Sequence, residues 1–243
     1  MKITMELFFS LLIFLFLAIG AIGQPVFKNP GISKSESFEI VDFIDNTIGY
    51  VNTKINISLK ERDSQKYYYI SVEEGSIFYN EIEVNYDDLT TISEKRIDKR
   101  NNSIEELYEN NGNGIVHFFN KEKGIDKKYN NTDRNIYSRY AYFISFRGFP
   151  FEVSNSVTFD TYMFEYGDVL SMKVKVLSKE KVSVKAGIFE CYKLELSVAG
   201  WLSLFAPYKS YLYFTVGGTH QFVKYEEKSD NGGWNTDELI KQG

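Results

Sequence analysis

The stretch Val51-Asn52-Thr53-Lys54-Ile55-Asn56-Ile57-Ser58-Leu59-Lys60 decides the fold. Val51, Thr53, Ile55, Ile57 and Leu59 point one way, and Asn52, Lys54, Asn56, Ser58 and Lys60 point the other. Strict alternation of this kind is the pattern of an antiparallel strand with one face buried. Glu61-Arg62-Asp63-Ser64 makes a turn, Lys66 to Val72 returns, and Glu74-Gly75 turns again into Ile77 to Val84. Working outward, strand-like pieces recur at Ser103–Tyr108, Gly114–Phe119, Val157–Tyr166, Leu170–Val176, Lys181–Val184 and Tyr192–Val198. A last pair, Tyr211–Val216 and Gln221–Tyr225, is joined across Gly217-Gly218. Short alternating runs separated by Gly, Asn and charged turns predict a meander of hairpins.

One segment breaks the rhythm. Ile136, Tyr140, Phe143 and Ile144 recur at helical spacing, Asp133 is placed to cap the start, and Arg147-Gly148-Phe149-Pro150 stops it. The spacing predicts one short amphipathic helix over about 136–146, with its apolar face against the concave side of the sheet. The expected fold is therefore mainly β: a single curved antiparallel sheet, or open half-barrel, with one helix packed on it.

The ends read differently from the body. Lys2 precedes the apolar run Leu7–Ala18, and Ala21 and Gly23 stand where an export peptidase prefers small residues. That is the pattern of a signal peptide over residues 1–23. The rival is an uncleaved anchor, since the run approaches the ~17–20 residues a span needs. Glycines and Pro25 make a poor helix end in lipid, and no later segment is apolar enough to cross a membrane. The protein is thus expected to be exported, periplasmic or extracellular, with no stable membrane span. Residues 24–46, with Pro25, Pro30 and Gly31, read as a leader onto a β-rich domain at 47–228, and 229–243 as a flexible tail.

Composition narrows the chemistry. The chain has 243 residues, a net charge of −5, two His and one Cys. One cysteine excludes an internal disulfide framework, and the acidic balance argues against nucleic acid as a partner. Cys191 reads as a buried core thiol. His117 and His220 lack a nucleophile and an orienting carboxylate at readable spacing. Glu73-Glu74 and Asp87-Asp88 flank turns, where acids are ordinary. Asp230-Asn231-Gly232-Gly233 lacks the spaced acids of a calcium loop. No phosphate loop, dinucleotide fingerprint or metal motif is present, so no cofactor is expected and no catalytic residue is assigned.

The segment from Met172-Lys173-Val174-Lys175-Val176 through Ala186-Gly187-Ile188-Phe189-Glu190-Cys191-Tyr192-Lys193-Leu194-Glu195 resembles an exported bacterial family, domain of unknown function three-one-zero-eight. The resemblance covers roughly Thr90 to Glu227 and departs at the last hairpin, where Tyr213-Phe214-Thr215 replaces the family's tryptophan-x-serine strand. It implies an exported β-rich fold, similar in architecture to the half-barrels of periplasmic lipoprotein carriers, and it implies no activity.

Ala199-Gly200-Trp201-Leu202-Ser203-Leu204-Phe205-Ala206-Pro207 joins two strands, where a polar turn is the default, yet it is apolar. Trp201, Leu202, Leu204 and Phe205, with Tyr140 and Phe143 from the helix, are the expected binding residues for an apolar ligand in the hollow of the sheet. The plainer reading is a loop packed on the sheet. The expected function is non-catalytic: holding an apolar ligand or lipidated envelope protein. The alternative is an interaction or scaffold module without a cavity, and a third reading is hydrolysis of an envelope polymer.

Overall fold

The computed structural model describes residues 26–44, 47–110, 114–130, 135–151, 156–164, 167–201, 209–229 and 232–242. The outward half of the chain makes β1 (Ser35–Ile44), β2 (Thr47–Arg62), β3 (Gln65–Glu74), β4 (Phe78–Asn85), β5 (Thr91–Asp98), β6 (Ser103–Asn110), β7 (Ile115–Asn120) and β8 (Ile125–Asn130). The returning half makes β9 (Ile136–Tyr137), β10 (Ser156–Met163), β11 (Asp168–Val184), β12 (Gly187–Val198), β13 (Lys209–Thr215), β14 (Phe222–Lys228) and β15 (Trp234–Gln242). These fifteen strands form one sheet, in the order β8-β7-β6-β5-β4-β3-β2-β1-β15-β14-β13-β12-β11-β10-β9. Neighbours are antiparallel except β9 and β10, which are parallel.

The order has a simple consequence. The first and last strands are neighbours in the middle, and two hairpin meanders fan out from them. The edges, β8 and β9, share no ladder among the described residues, so the sheet curves around without closing. Side chains make the seam instead. Tyr108 on β6 stacks on Tyr162 on β10, with centroids 4.3 Å apart. The Tyr129 hydroxyl on β8 donates to the Gly167 carbonyl at 2.9 Å. The edge strand β8 carries exposed Asp126, Lys127 and Lys128, charges that discourage pairing with another chain.

Alternation places Ile55, Ile57, Ile70, Val72, Ile82, Val174, Leu194, Leu196 and Phe214 on the concave face, all within the main buried cluster. A helical segment, residues 139–148, fills that face. It comprises a 3-10 turn (Arg139–Ala141), one α-turn α1 (Tyr142–Ser145) and a second 3-10 turn (Phe146–Gly148). The short helix is thus present, but three residues later than the periodicity implies. Ile136 and Tyr137 form a strand instead, and the Thr161 hydroxyl donates to the Tyr137 carbonyl at 2.7 Å. Ser138 is the cap, its Oγ accepting from the Tyr140 N–H at 3.0 Å. Asp133, the expected cap, lies outside the described residues.

Two boundary expectations are corrected. The leader 24–46 is integral to the domain from Val26 onward. Phe27 is fully buried with its ring 4.7 Å from that of Tyr137, and β1 lies wholly inside the supposed leader. The tail 229–243 is not loose: β15 is a central strand, paired with β1 on one side and β14 on the other. Backbone hydrogen bonding to both neighbours holds a strand whose composition is too polar to announce itself. The signal peptide falls outside the described residues, among which no helix is long and apolar enough to cross a membrane.

Candidate functional site: the concave face and its helical plug

The expected hollow is occupied. Phe146 sits 5.2 Å from Phe27 and 5.3 Å from Phe159, and stacks on Tyr142 at 4.6 Å. Beyond the plug, Phe151 stacks on Tyr192 at 4.5 Å and meets the His220 ring at 4.4 Å. Rings at these separations pack edge-to-face and offset, the arrangement of a solid aromatic core.

Polar bonds fix the plug in place. Arg147 is 2% exposed. Its Nη1 donates to Glu36 Oε2 at 2.6 Å, and its Nε donates to the Thr219 carbonyl at 2.8 Å. Burial works to raise the Glu36 pKa, but the Arg147 guanidinium outweighs it and holds this carboxyl below its ordinary range. At the other end the Ser138 N–H donates to Thr91 Oγ1 at 2.7 Å, while the hydroxyls of Ser138 and Tyr162 both donate to Glu94 Oε2. Glu94 is fully buried, and burial pushes its pKa up to about 7 against the pull of those two hydroxyls.

A polar layer lines one part of the interior. Arg96 donates to Glu74 at 2.7 Å and to the Tyr140 hydroxyl at 3.0 Å. Asp42 on β1 and Asp237 on β15 are direct cross-strand partners whose carboxyls hydrogen-bond to each other. Burial raises both pKa values; the hydrogen bond from Asp237 pulls that of Asp42 back while Glu74 raises it, and Asp42, Glu227 and Glu74 raise that of Asp237 further. Two carboxyls in hydrogen-bond contact stand closer than the ~5–5.5 Å of a retaining glycosidase pair or the wider spacing of an inverting one. Among the described residues no group of His, Cys, Asp and Glu is placed to hold a metal ion.

The expected binding residues separate. Tyr140 and Phe143 lie inside: the Phe143 ring meets Phe38 at 5.6 Å, and Tyr140 carries the Arg96 bond. Trp201 stands just past β12, 71% exposed. Leu202, Leu204 and Phe205 lie outside the described residues. Among the other candidates, the His117 ring Nε2 hydrogen-bonds Asp126 at 2.8 Å between β7 and β8, and His220 Nδ1–H donates to the Thr215 carbonyl at 3.0 Å. Cys191 is buried, and burial pushes its thiol up to about 12, which leaves little thiolate at neutral pH. The residues missed from the sequence are Asp42, Glu94 and Asp237. The available signal was their register, since Asp42 follows Ile40 by two and shares its face.

Comparisons with known proteins agree with this architecture. No curated protein matches the chain. Among solved structures it is similar to a β-barrel-like protein of DUF1849 from Brucella abortus, at 7% identity and TM-score 0.50, covering 86% of this chain and 96% of that one. It is also similar to a Bacteroides fragilis protein assigned as exported with a YmcC-like fold, at 11% identity and TM-score 0.32, covering 90% and 99%. The first likeness speaks to the fold alone, and the second, with its weaker overlap, carries no argument. The family model described as "Protein of unknown function (DUF3108)" matches residues 46–235, most of the length, and the chain therefore belongs to that family.

Proposed function

We propose that this chain is an exported, non-catalytic protein that docks an envelope partner on its outer surface, around Trp201, and holds no ligand within the sheet. The observation that carries the reading is the filled interior. Uncovering Tyr142, Ile144, Phe146, Phe149 and Phe151, all buried, costs about 2 kcal/mol per side chain, or about 10 kcal/mol together. That equals the whole stability of an ordinary domain. Trp201, by contrast, stands at the head of an apolar stretch of sequence with 71% of its surface exposed.

The test is a photo-crosslinking residue at position 201 in cells making the full chain, with one at exposed Ile104 as control. A discrete crosslinked partner from position 201 alone is expected. Native mass spectrometry of the purified protein should show the bare chain.

One observation favours the apolar-ligand reading. The filling is a continuous run, residues 135–151, with a sheet face of Ile55, Ile57, Leu194 and Leu196 beneath it. An acyl chain gaining ~0.8 kcal/mol per buried CH₂ can repay the displacement of that run. A stoichiometric lipid retained through purification would decide for this reading over the first.

A further inference from the structure

The outward face of β12–β15 carries a second feature. Cross-strand register sets Lys193, Tyr213, Lys224 and Glu238 in one row across four strands. The adjacent row is Glu195, Tyr211, Glu226 and Thr236, with Trp234 two residues before Thr236 on the same face. Opposite residues in antiparallel strands share a side of the sheet, so these side chains all project outward. Between them lies a cleft of about 480 Å³, within the range of small-ligand sites.

The floor is aromatic and the walls are polar. Tyr211 and Trp234 have centroids 6.0 Å apart with planes inclined at 40°, and both are half-buried. Lys224 bridges Glu226 at 2.9 Å and Glu238 at 3.2 Å. Glu226 also accepts from the Tyr213 hydroxyl at 2.7 Å, and Lys193 lies over the Tyr211 ring at 4.9 Å. Of the residues lining the cleft, Lys193 and Lys224 balance Glu226 and Glu238, and Glu195 beside it is paired with Lys175 and Lys209, so the cleft offers no net charge to attract an ion. A charged ligand would have to break an existing pair, at a cost that leaves a partner unsatisfied. A neutral polyhydroxylated ring would not. Its axial C–H face lies against an aromatic ring, while its hydroxyls both donate to the glutamates and accept from the lysines. The pairs hold the polar groups in place beforehand, which lowers the ordering cost of binding.

We propose that this cleft binds a neutral saccharide segment of an extended glycan, with Tyr211 and Trp234 as stacking platforms and Lys224, Glu226 and Glu238 as hydrogen-bonding walls. Trp201 is not among the residues that line this cleft, and the saccharide site stands or falls independently of the docking proposed there.

Titration calorimetry of the purified full chain tests it, with hexa-N-acetylchitohexaose and cellohexaose as neutral probes and hexagalacturonate as the acidic one. Saturable binding of at least one neutral hexamer is expected, with N-acetylglucosamine or glucose alone about tenfold weaker or worse. Tyr211→Ala and Trp234→Ala should each weaken the hexamer about tenfold or more, and Trp234→Phe should restore most of it, all at unchanged melting temperature. If Trp234→Ala fails to fold, Tyr211→Ala and Trp234→Phe carry the comparison. The proposal is overturned by no saturation with either neutral hexamer, by equal binding in Tyr211→Ala, or by hexagalacturonate binding as well as the neutral probes.

Discussion

Asp42 and Asp237 stand directly opposite each other on the first and last strands, with their carboxyls hydrogen-bonded across the central junction of the sheet. Such a contact requires a shared proton, because two like charges facing across a ladder repel. The proton therefore helps to join the two halves of the chain.

Burial is the main cause raising both pKa values, Asp42 to about 6 against the pull of its hydrogen bond with Asp237, and Asp237 well above its ordinary value with the Asp42 carboxylate adding to the rise. Above about pH 4 the unfolded chain has released these protons while the folded chain still holds them. Stability should therefore fall as pH rises from about 4 through 6 and beyond. Asp237→Asn keeps a hydrogen-bonding partner and removes one charge, so it should flatten that decline and melt higher than the parent at pH 8. Parallel melting curves for the two proteins between pH 4 and 8 would refute the shared proton.

Arg147 ties the plug to Glu36 on β1 and to Thr219 beyond β13. Removing it leaves the half-buried Glu36 carboxylate without its charge partner and breaks a pair whose arginine is buried, so Arg147→Met should cost about 3 kcal/mol in urea unfolding. Adding Glu36→Gln should recover part of the loss. Arg147→Lys should not rescue fully, since a point charge cannot make the forked contacts. A loss under about 1 kcal/mol in Arg147→Met would mean the pair does not anchor the plug.

Gly148 ends the plug against the backbone of Lys28. A Cβ there would lie 2.5 Å from the Lys28 carbonyl oxygen and 2.8 Å from its nitrogen. Because backbone cannot swing aside as a side chain can, Gly148→Ala should cost about 2 kcal/mol or more and loosen the packing of Phe27. Near-ultraviolet circular dichroism and melting temperature report both, and an unchanged spectrum with unchanged melting would contradict this close approach.

Thr236 pairs with Glu226 on one side and with Phe43 on the other. Proline in a strand flanked on both sides removes a ladder hydrogen bond and clashes, so Thr236→Pro should prevent folding or leave an aggregating chain. A soluble variant with native melting would show the last residues to be dispensable, as a loose tail would be.

Amino-acid order by itself determined the β class, most hairpins of the body and the existence of one short helix, because period-two and helical patterns are local. Tertiary structure alone decided the ends. Phe38 and Ile40 alternate as a strand should, but Asp42 takes the next inward place and hides β1 among the prolines and glycine before it. Trp234–Gln242 has too few apolar residues to read as a strand, and it becomes one because β1 and β14 each offer it an unpaired edge. The same distance along the chain hid the interior: Glu94 meets Tyr162 and Ser138, and Arg147 meets Glu36, across separations no local pattern encodes. Whether the concave face was hollow or filled depended on how far the sheet curves around residues 135–151. That curvature is set by the accumulated twist of fifteen strands and by the side-chain seam between their edges.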